Sequence, residues 1–147
     1  MIGRTIKMST TGIRTFDHSL NTAREWLSDV KEELNITDEQ QAFLVTRSVL
    51  HTLRDRLPVQ EAADFAAQLP MLLQGLYYHE WSPTGKPEKI RHKDDFLAAV
   101  GEKLMGKYSP QEAVEGVFKV LAQRIGEGEI EDVKGNLPKE IQELWPK

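Results

Sequence analysis

The 147-residue chain contains no cysteine. That excludes disulfide staples, thiolate zinc sites, iron–sulfur clusters and a cysteine nucleophile. A cationic excess is also missing. Nineteen Lys and Arg stand against 23 Asp and Glu, for a formal net charge of −4, which argues against the positive footprint of a nucleic-acid binder. No apolar run approaches the roughly 20 residues that span a bilayer. Residues 1–12 carry Arg4 and Lys7 but no apolar stretch, so they do not read as a secretory signal. The expected location is the cytoplasm. Met8 offers a second start besides Met1, and residues 1–15 are expected to form a loose arm. Catalytic signatures are absent as well. None of His18, His51, His79 and His92 has a His three or four residues away, and no His-Glu-x-x-His, Walker loop, dinucleotide glycine pattern or Gly-x-Ser-x-Gly occurs. No cofactor and no metal site are expected.

What is present is helical periodicity. Charged residues at 29% and hydrophobic residues at 39% suit an ordinary globular domain, and the length suits one such domain. Ala23, Trp26, Leu27, Val30 and Leu34 recur at helical spacing. Thr37-Asp38-Glu39-Gln40 reads as a capping box with Thr37 as N-cap. The stripe Ala42, Val45, Thr46, Val49, Leu50, Leu53 and Leu57 follows it. Arg47, Arg54 and Arg56 fall on other faces. Pro58 stops this helix or opens the next, where Ala62, Phe65, Ala66 and Leu69 face inward. Pro70 suits the first turn of a fourth helix ending at Tyr78. Met71, Leu72, Leu73, Leu76 and Tyr77 leave that helix almost no polar face, so it is expected to be buried. Residues 79–95 form a connector rich in Pro and Gly, after which Asp94-Asp95 offer a helix N-terminus.

The second half repeats the first. Trp26, Leu27, Val30 and Leu34 match Phe96, Leu97, Val100 and Leu104 at an offset of 70. The capped second helix matches at 72, Thr37 pairing with Ser109 of the capping box Ser109-Pro110-Gln111-Glu112. Leu69-Pro70, Leu73, Gln74, Leu76 and Tyr77 match Leu137-Pro138, Ile141, Gln142, Leu144 and Trp145 at 68. Four elements in one order read as a tandem duplication of a four-helix unit. The expected fold is all-α: repeat one at 16–78, the connector at 79–95 and repeat two at 96–147. The two copies are too few for a solenoid and are expected to share one compact, bundle-like domain with pseudo-twofold symmetry.

Candidate chemistry concentrates in Tyr77-Tyr78-His79-Glu80-Trp81. Three aromatics, an imidazole and a carboxylate suit a pocket or an interface. They suit better still aromatic packing between the halves, with His79 as a cation at a helix end. Glu127, Glu129, Glu131 and Asp132 lack the spacing of a calcium loop and read as an acidic first helical turn. Lys86, Lys89, Arg91 and Lys93 read as a solvated basic stretch. Arg54-Asp55-Arg56 reads as a surface ion-pair cluster contributing little.

Three stretches together carry a family resemblance. They are Leu53-Arg54-Asp55-Arg56-Leu57-Pro58 with Glu61-Ala62; Gln68-Leu69-Pro70-Met71-Leu72 running into Tyr77-Tyr78-His79-Glu80-Trp81; and Gly128-Glu129-Ile130-Glu131-Asp132-Val133-Lys134 with Leu137-Pro138 and Leu144-Trp145-Pro146. Over residues 12–146 the chain resembles the bacterial and archaeal proteins catalogued as domain of unknown function 2267. The resemblance implies a small, soluble, all-helical protein. It implies no activity and supplies no catalytic residues. The leading functional expectation is a non-enzymatic module that binds a protein partner or itself, without membrane or nucleic acid. One alternative is a small-ligand sensor with a pocket at the junction of the repeats, lined by Tyr77, Tyr78, His79 and Trp81. A second is an enzyme using His79 and Glu80 as acid and base.

Overall fold

The computed structural model describes residues 11–147. Residues 1–10, and with them Met1 and Met8, lie outside the described residues. The described chain is all-α, with eight helices: α1 (Arg14–Leu34), α2 (Glu39–Arg56), α3 (Val59–Ala66), α4 (Met71–Tyr78), α5 (Lys93–Leu104), α6 (Pro110–Arg124), α7 (Glu127–Gly135) and α8 (Lys139–Gln142).

Local chemistry sets the helix ends. α1 begins within the stretch expected as an arm. The Thr11 amide and hydroxyl both donate to Asp17 Oδ1, at 3.0 and 2.9 Å, and that carboxylate sits favourably at the helix N-terminus. Polar bonds of this kind leave no trace in apolar spacing. α2 is capped by Asp38 rather than Thr37, the Gln40 amide donating to Asp38 Oδ1 at 2.9 Å. Both residue types can cap, and the carboxylate also answers the helix dipole. On α6 the Glu112 amide donates to Ser109 Oγ at 3.3 Å, and Pro110 occupies the first helical position as expected. α5 starts at Lys93, one residue before Asp94, because its cap comes from α8. Glu140 Oε1 accepts from the Lys93 amide at 3.1 Å while Oε2 meets His92 Nδ1 at 3.0 Å.

One contiguous apolar cluster runs from Trp26 to Trp145. α1 and α5 each pack on both α2 and α6; α2 packs on α6, and α3 on α7. The Arg124 guanidinium lies 5.5 Å from the Trp26 ring centroid. Ion pairs Arg124–Asp29 and Lys119–Glu33 lace α6 to α1. Gly116 lets these helices approach, since a Cβ there would lie 2.6 Å from Leu34 Cδ2. The connector is pinned to the end of α2, with the Glu88 amide donating to the Asp55 carbonyl at 2.7 Å and Arg56 Nε donating to the Ile90 carbonyl. No helix among the described residues is long and apolar enough to cross a membrane.

α4 departs from expectation. It lies against α1 and α2 and buries only Leu73 and Tyr77. Met71 and Leu72 remain 56% and 42% exposed. Among the described residues nothing covers this apolar outer face, because an eight-residue helix seated on two others buries one side only.

Candidate functional site at the end of helix α4

The core stripe of α2 has a second stripe beside it. Arg47, His51 and Arg54 stand four and three residues apart and so share one helical face. That face turns toward α4 and the segment after it.

Arg54 is 3% exposed, not the surface residue expected. Its Nε and Nη2 donate to the two carboxylate oxygens of Asp55, at 2.9 and 3.2 Å. Its Nη1 donates to the carbonyls of Tyr77 and His79, at 2.7 and 2.9 Å. A helix end leaves carbonyls without helical partners, and the buried guanidinium supplies them here. His51 is also buried, with Nε2 2.7 Å from the Leu76 carbonyl. A carbonyl only accepts, so Nε2 carries the proton and Nδ1 keeps the lone pair in the neutral ring. Burial pushes the imidazole below its ordinary 6.5. The Leu76 carbonyl and Asp55 oppose that shift, and Arg54 and Arg47 add to it.

The five residues singled out from the sequence divide by role. Tyr77 belongs to the core: it is fully buried, its hydroxyl donates to the Ala62 carbonyl at 2.9 Å, and its ring centroid lies 5.6 Å from that of Phe65. Tyr78 and Trp81 pack on each other, centroids 5.3 Å apart, and Trp81 Nε1 is enclosed without a partner among the described residues. His79 and Glu80 reach open space. The Glu80 backbone adopts the left-handed region at φ 63°, uncommon for this residue type. Its carboxylate lies 3.5 Å from Arg47 Nη2. No hydrogen bond joins His79 to Glu80 among the described residues.

Two adjoining cavities open here. The larger, about 580 Å³, is a groove lined by Phe43, Leu72, Gly75 and Leu76, with Arg47, His79 and Glu80 at one end. The smaller, about 250 Å³, is more enclosed and is lined by Arg47, Ser48, His51, Arg54, Glu80 and Lys103. Arg47 and Glu80 form the wall between them. Lys103 comes from α5. Its ammonium donates to the Ala99 carbonyl at 3.3 Å, and desolvation pulls it below the usual lysine range, with Asp55 opposing. The 47–51–54 spacing was a readable signal for the polar stripe of α2. Lys103 had none, because only the tertiary fold brings it there.

The remaining acidic residues behave as helix ends do. Glu127 and Glu129 occupy the first turn of α7. No group of three or more His, Asp or Glu side chains among the described residues is placed to hold a metal ion.

No curated protein matches the chain. The sequence model of the family described as "Uncharacterized conserved protein (DUF2267)" matches residues 23–144. That stretch runs from within α1 to just past α8 and includes both cavities, so the chain belongs to the DUF2267 family.

Proposed function

We propose that this chain is a non-enzymatic docking module. Its groove between α2 and α4 takes an amphipathic helix of a partner protein, apolar on the buried side and bearing one carboxylate. The observation that carries this reading is the outward face of α4. Met71, Leu72 and Gly75 are exposed there, over a groove floored by Phe43 and Leu76.

An internal comparison supports it. We read the chain as a tandem duplication, with 16–147 as one domain of two related halves about a pseudo-twofold axis, in the cytoplasm. Packing supports this: exchanging α1 with α5, α2 with α6, α3 with α7 and α4 with α8 carries the contacts α1–α6, α1–α2 and α1–α4 onto α5–α2, α5–α6 and α5–α8. Gln74 Nε2 donates to the Leu69 carbonyl at 2.8 Å, and Gln142 Nε2 donates to the Leu137 carbonyl at the same distance. Val45, Val49, Leu53 and Leu57 correspond in burial to Ala113, Val117, Leu121 and Ile125. The α2–α6 offset favoured by burial is therefore 68, rather than the 72 drawn from spacing, with α6 starting about one turn later. At the same offset, exposed Met71, Leu72 and Gly75 of α4 become exposed Lys139, Glu140 and Glu143. The same place in the fold is thus solvated in one half and apolar in the other. Exposed apolar clusters of this kind mark interaction surfaces.

Gly75 adds a second argument. Its φ is not left-handed, and a Cβ there would meet nothing within 4 Å. The fold itself has no need of glycine here, where alanine favours the helix by about 1 kcal/mol. A bare backbone suits close approach by another chain. Charge selects the occupant: Arg47 and Glu80 are partly exposed at the groove end, and a partner carboxylate replaces Glu80 on the guanidinium.

The test is selection of displayed amphipathic peptides against the full chain, with sedimentation of the chain alone. Enriched peptides should show apolar residues at helical spacing plus an acidic residue. They should lose binding to Leu72→Glu and weaken on Arg47→Gln. Peptides that bind Leu72→Glu equally well would sink the reading. A concentration-dependent dimer abolished by Leu72→Glu would replace the partner helix with a second copy.

A further inference from the structure

We infer that the smaller cavity is an anion site that takes a phosphoryl group. Arg47 and Arg54 from α2 and Lys103 from α5 converge on about 250 Å³. Four of the five Arg54 N–H groups are spent on Asp55, Tyr77 and His79, which fixes the guanidinium and leaves one Nη2 N–H. Lys103 spends one of its three donors, on the Ala99 carbonyl. Arg47 carries a full fork whose one ion-pair partner among the described residues is Glu80, at 3.5 Å. Three cationic donors from two helices suit a tetrahedral dianion better than a planar carboxylate, which a single fork already satisfies.

The charges around the site are mixed, and the balance is positive. His51 faces Arg47, Arg54 and Asp55 of its own helix, the Leu76 carbonyl of α4, Glu80 beyond α4, and Lys103 of α5. Asp55 is held bidentate by Arg54. Glu102 and Glu88 act on Lys103 from outside the lining. Glu80 is the one carboxylate in the wall, held there by a left-handed backbone. It serves as a stand-in anion that an incoming phosphoryl group displaces from Arg47. Protonation of His51 adds a fourth positive charge once an anion is bound.

The matching place in the other half has no such site. On the duplication reading, Arg47, Ser48, His51 and Arg54 become Glu115, Gly116, Lys119 and Ala122, and Lys103 becomes Glu33. There Lys119 and Glu33 pair at 3.1 Å, and Gly116 is closed over by Leu34. The cationic pocket therefore belongs to one half alone. The cavity and its donors stand on geometry and hold whether or not a partner helix docks in the groove.

The experiment titrates inorganic phosphate, sulfate, acetate, glycerol phosphate and phosphatidic-acid vesicles into the full-length protein, followed by backbone NMR. Phosphate and sulfate should shift α2 and α5 amides with Kd tighter than about 10 mM. Lys103→Gln and Arg47→Gln should each weaken binding about tenfold, as loss of a charge-assisted bond does. Glu80→Gln should tighten it, and Lys119→Gln and Leu72→Glu should leave it unchanged. Sulfate keeps its charge across this range, so its binding should strengthen as pH falls from about 8 to about 6, and His51→Gln should remove that dependence. Glycerol phosphate binding without vesicle binding assigns a soluble phosphate ester; the reverse assigns a lipid headgroup. Acetate matching phosphate would overturn the phosphoryl assignment. Absence of binding, or binding unchanged in the Lys103→Gln/Arg47→Gln double variant, would overturn the site.

Discussion

At the scale of single residues, Arg54 bears more of the structure than its place in Arg54-Asp55-Arg56 suggests. Two of its four hydrogen bonds tie the last turn of α2 to the carbonyls of Tyr77 and His79, and the other two hold the Asp55 carboxylate. Truncation leaves two carbonyls and a half-buried carboxylate without their cation. Arg54→Ala is therefore expected to cost about 3 kcal/mol, in the range for breaking a buried pair from one side. Arg56→Ala should cost less, since it gives up one bond to the Ile90 carbonyl. Urea unfolding of the two variants decides this, and equal losses would reject the structural role assigned to Arg54. Two substitutions should stabilise instead. Gly75→Ala should gain about 0.5–1 kcal/mol of helix propensity while weakening groove binding. Met105 caps α5 at φ 54° and is 69% exposed. Asn35 does the same work for α1 at φ 56°. Asparagine tolerates the left-handed region better, so Met105→Asn should raise the melting temperature, and a lower value would contradict it.

Among the elements, α3 and α7 meet through a pair of carboxylates. Glu61 Oε2 and Glu129 Oε2 are both enclosed without a conventional donor among the described residues. Glu61 Oε1 accepts from Asn136 Nδ2 at 3.2 Å. Proximity to Glu129 favours the protonated form of Glu61. Burial, the hydrogen bond to Glu129 and the charges of Glu129, Asp64 and Asp132 push Glu61 up to about 8. The folded state thus holds a proton that the unfolded chain releases near 4.5. The associated stability is complete below about pH 4.5 and is lost as pH rises through about 8. Glu61→Gln keeps a donor toward Glu129 without a titration, so its melting temperature should fall less across that window. Parallel profiles for the two proteins would mean that Glu61 does not titrate in this window. This pair also marks where sequence reading stops. Helix existence was legible because Trp26, Val30, Val45, Val49, Phe96 and Val117 obey one period. Asp38, Asp17 and Glu140 set the starts of α2, α1 and α5 through polar bonds, two of them non-local, that no period records. The candidate site was half legible for the same reason. Tyr77 to Trp81 stood out by composition, whereas Arg54, Lys103 and the Glu61–Glu129 pair acquire meaning only once separate helices meet.

For the whole molecule, the question is whether the halves are separable. α1 rests on α6 and α5 on α2, so the first helix of each proposed half packs on the second helix of the other. Gly116 lies where α6 approaches α1: an added Cβ would fall 2.6 Å from Leu34 Cδ2 and 2.9 Å from Cγ. Gly116→Val must push Leu34 aside, and overpacking of this kind costs about 1–3 kcal/mol, more than the small helix-propensity gain. Leu34→Ala makes room for the added methyls, so the double variant should be more stable than the sum of the two losses implies, by about 1 kcal/mol. Leu34 belongs to the first half and Gly116 to the second. If the halves share one core, circular dichroism and the fluorescence of Trp26, Trp81 and Trp145 should report every variant as a single urea transition, with coincident midpoints. Separate midpoints for the two probes, or strict additivity between Leu34 and Gly116, would mean that the halves fold independently and that the α1–α6 contact is no part of a common core.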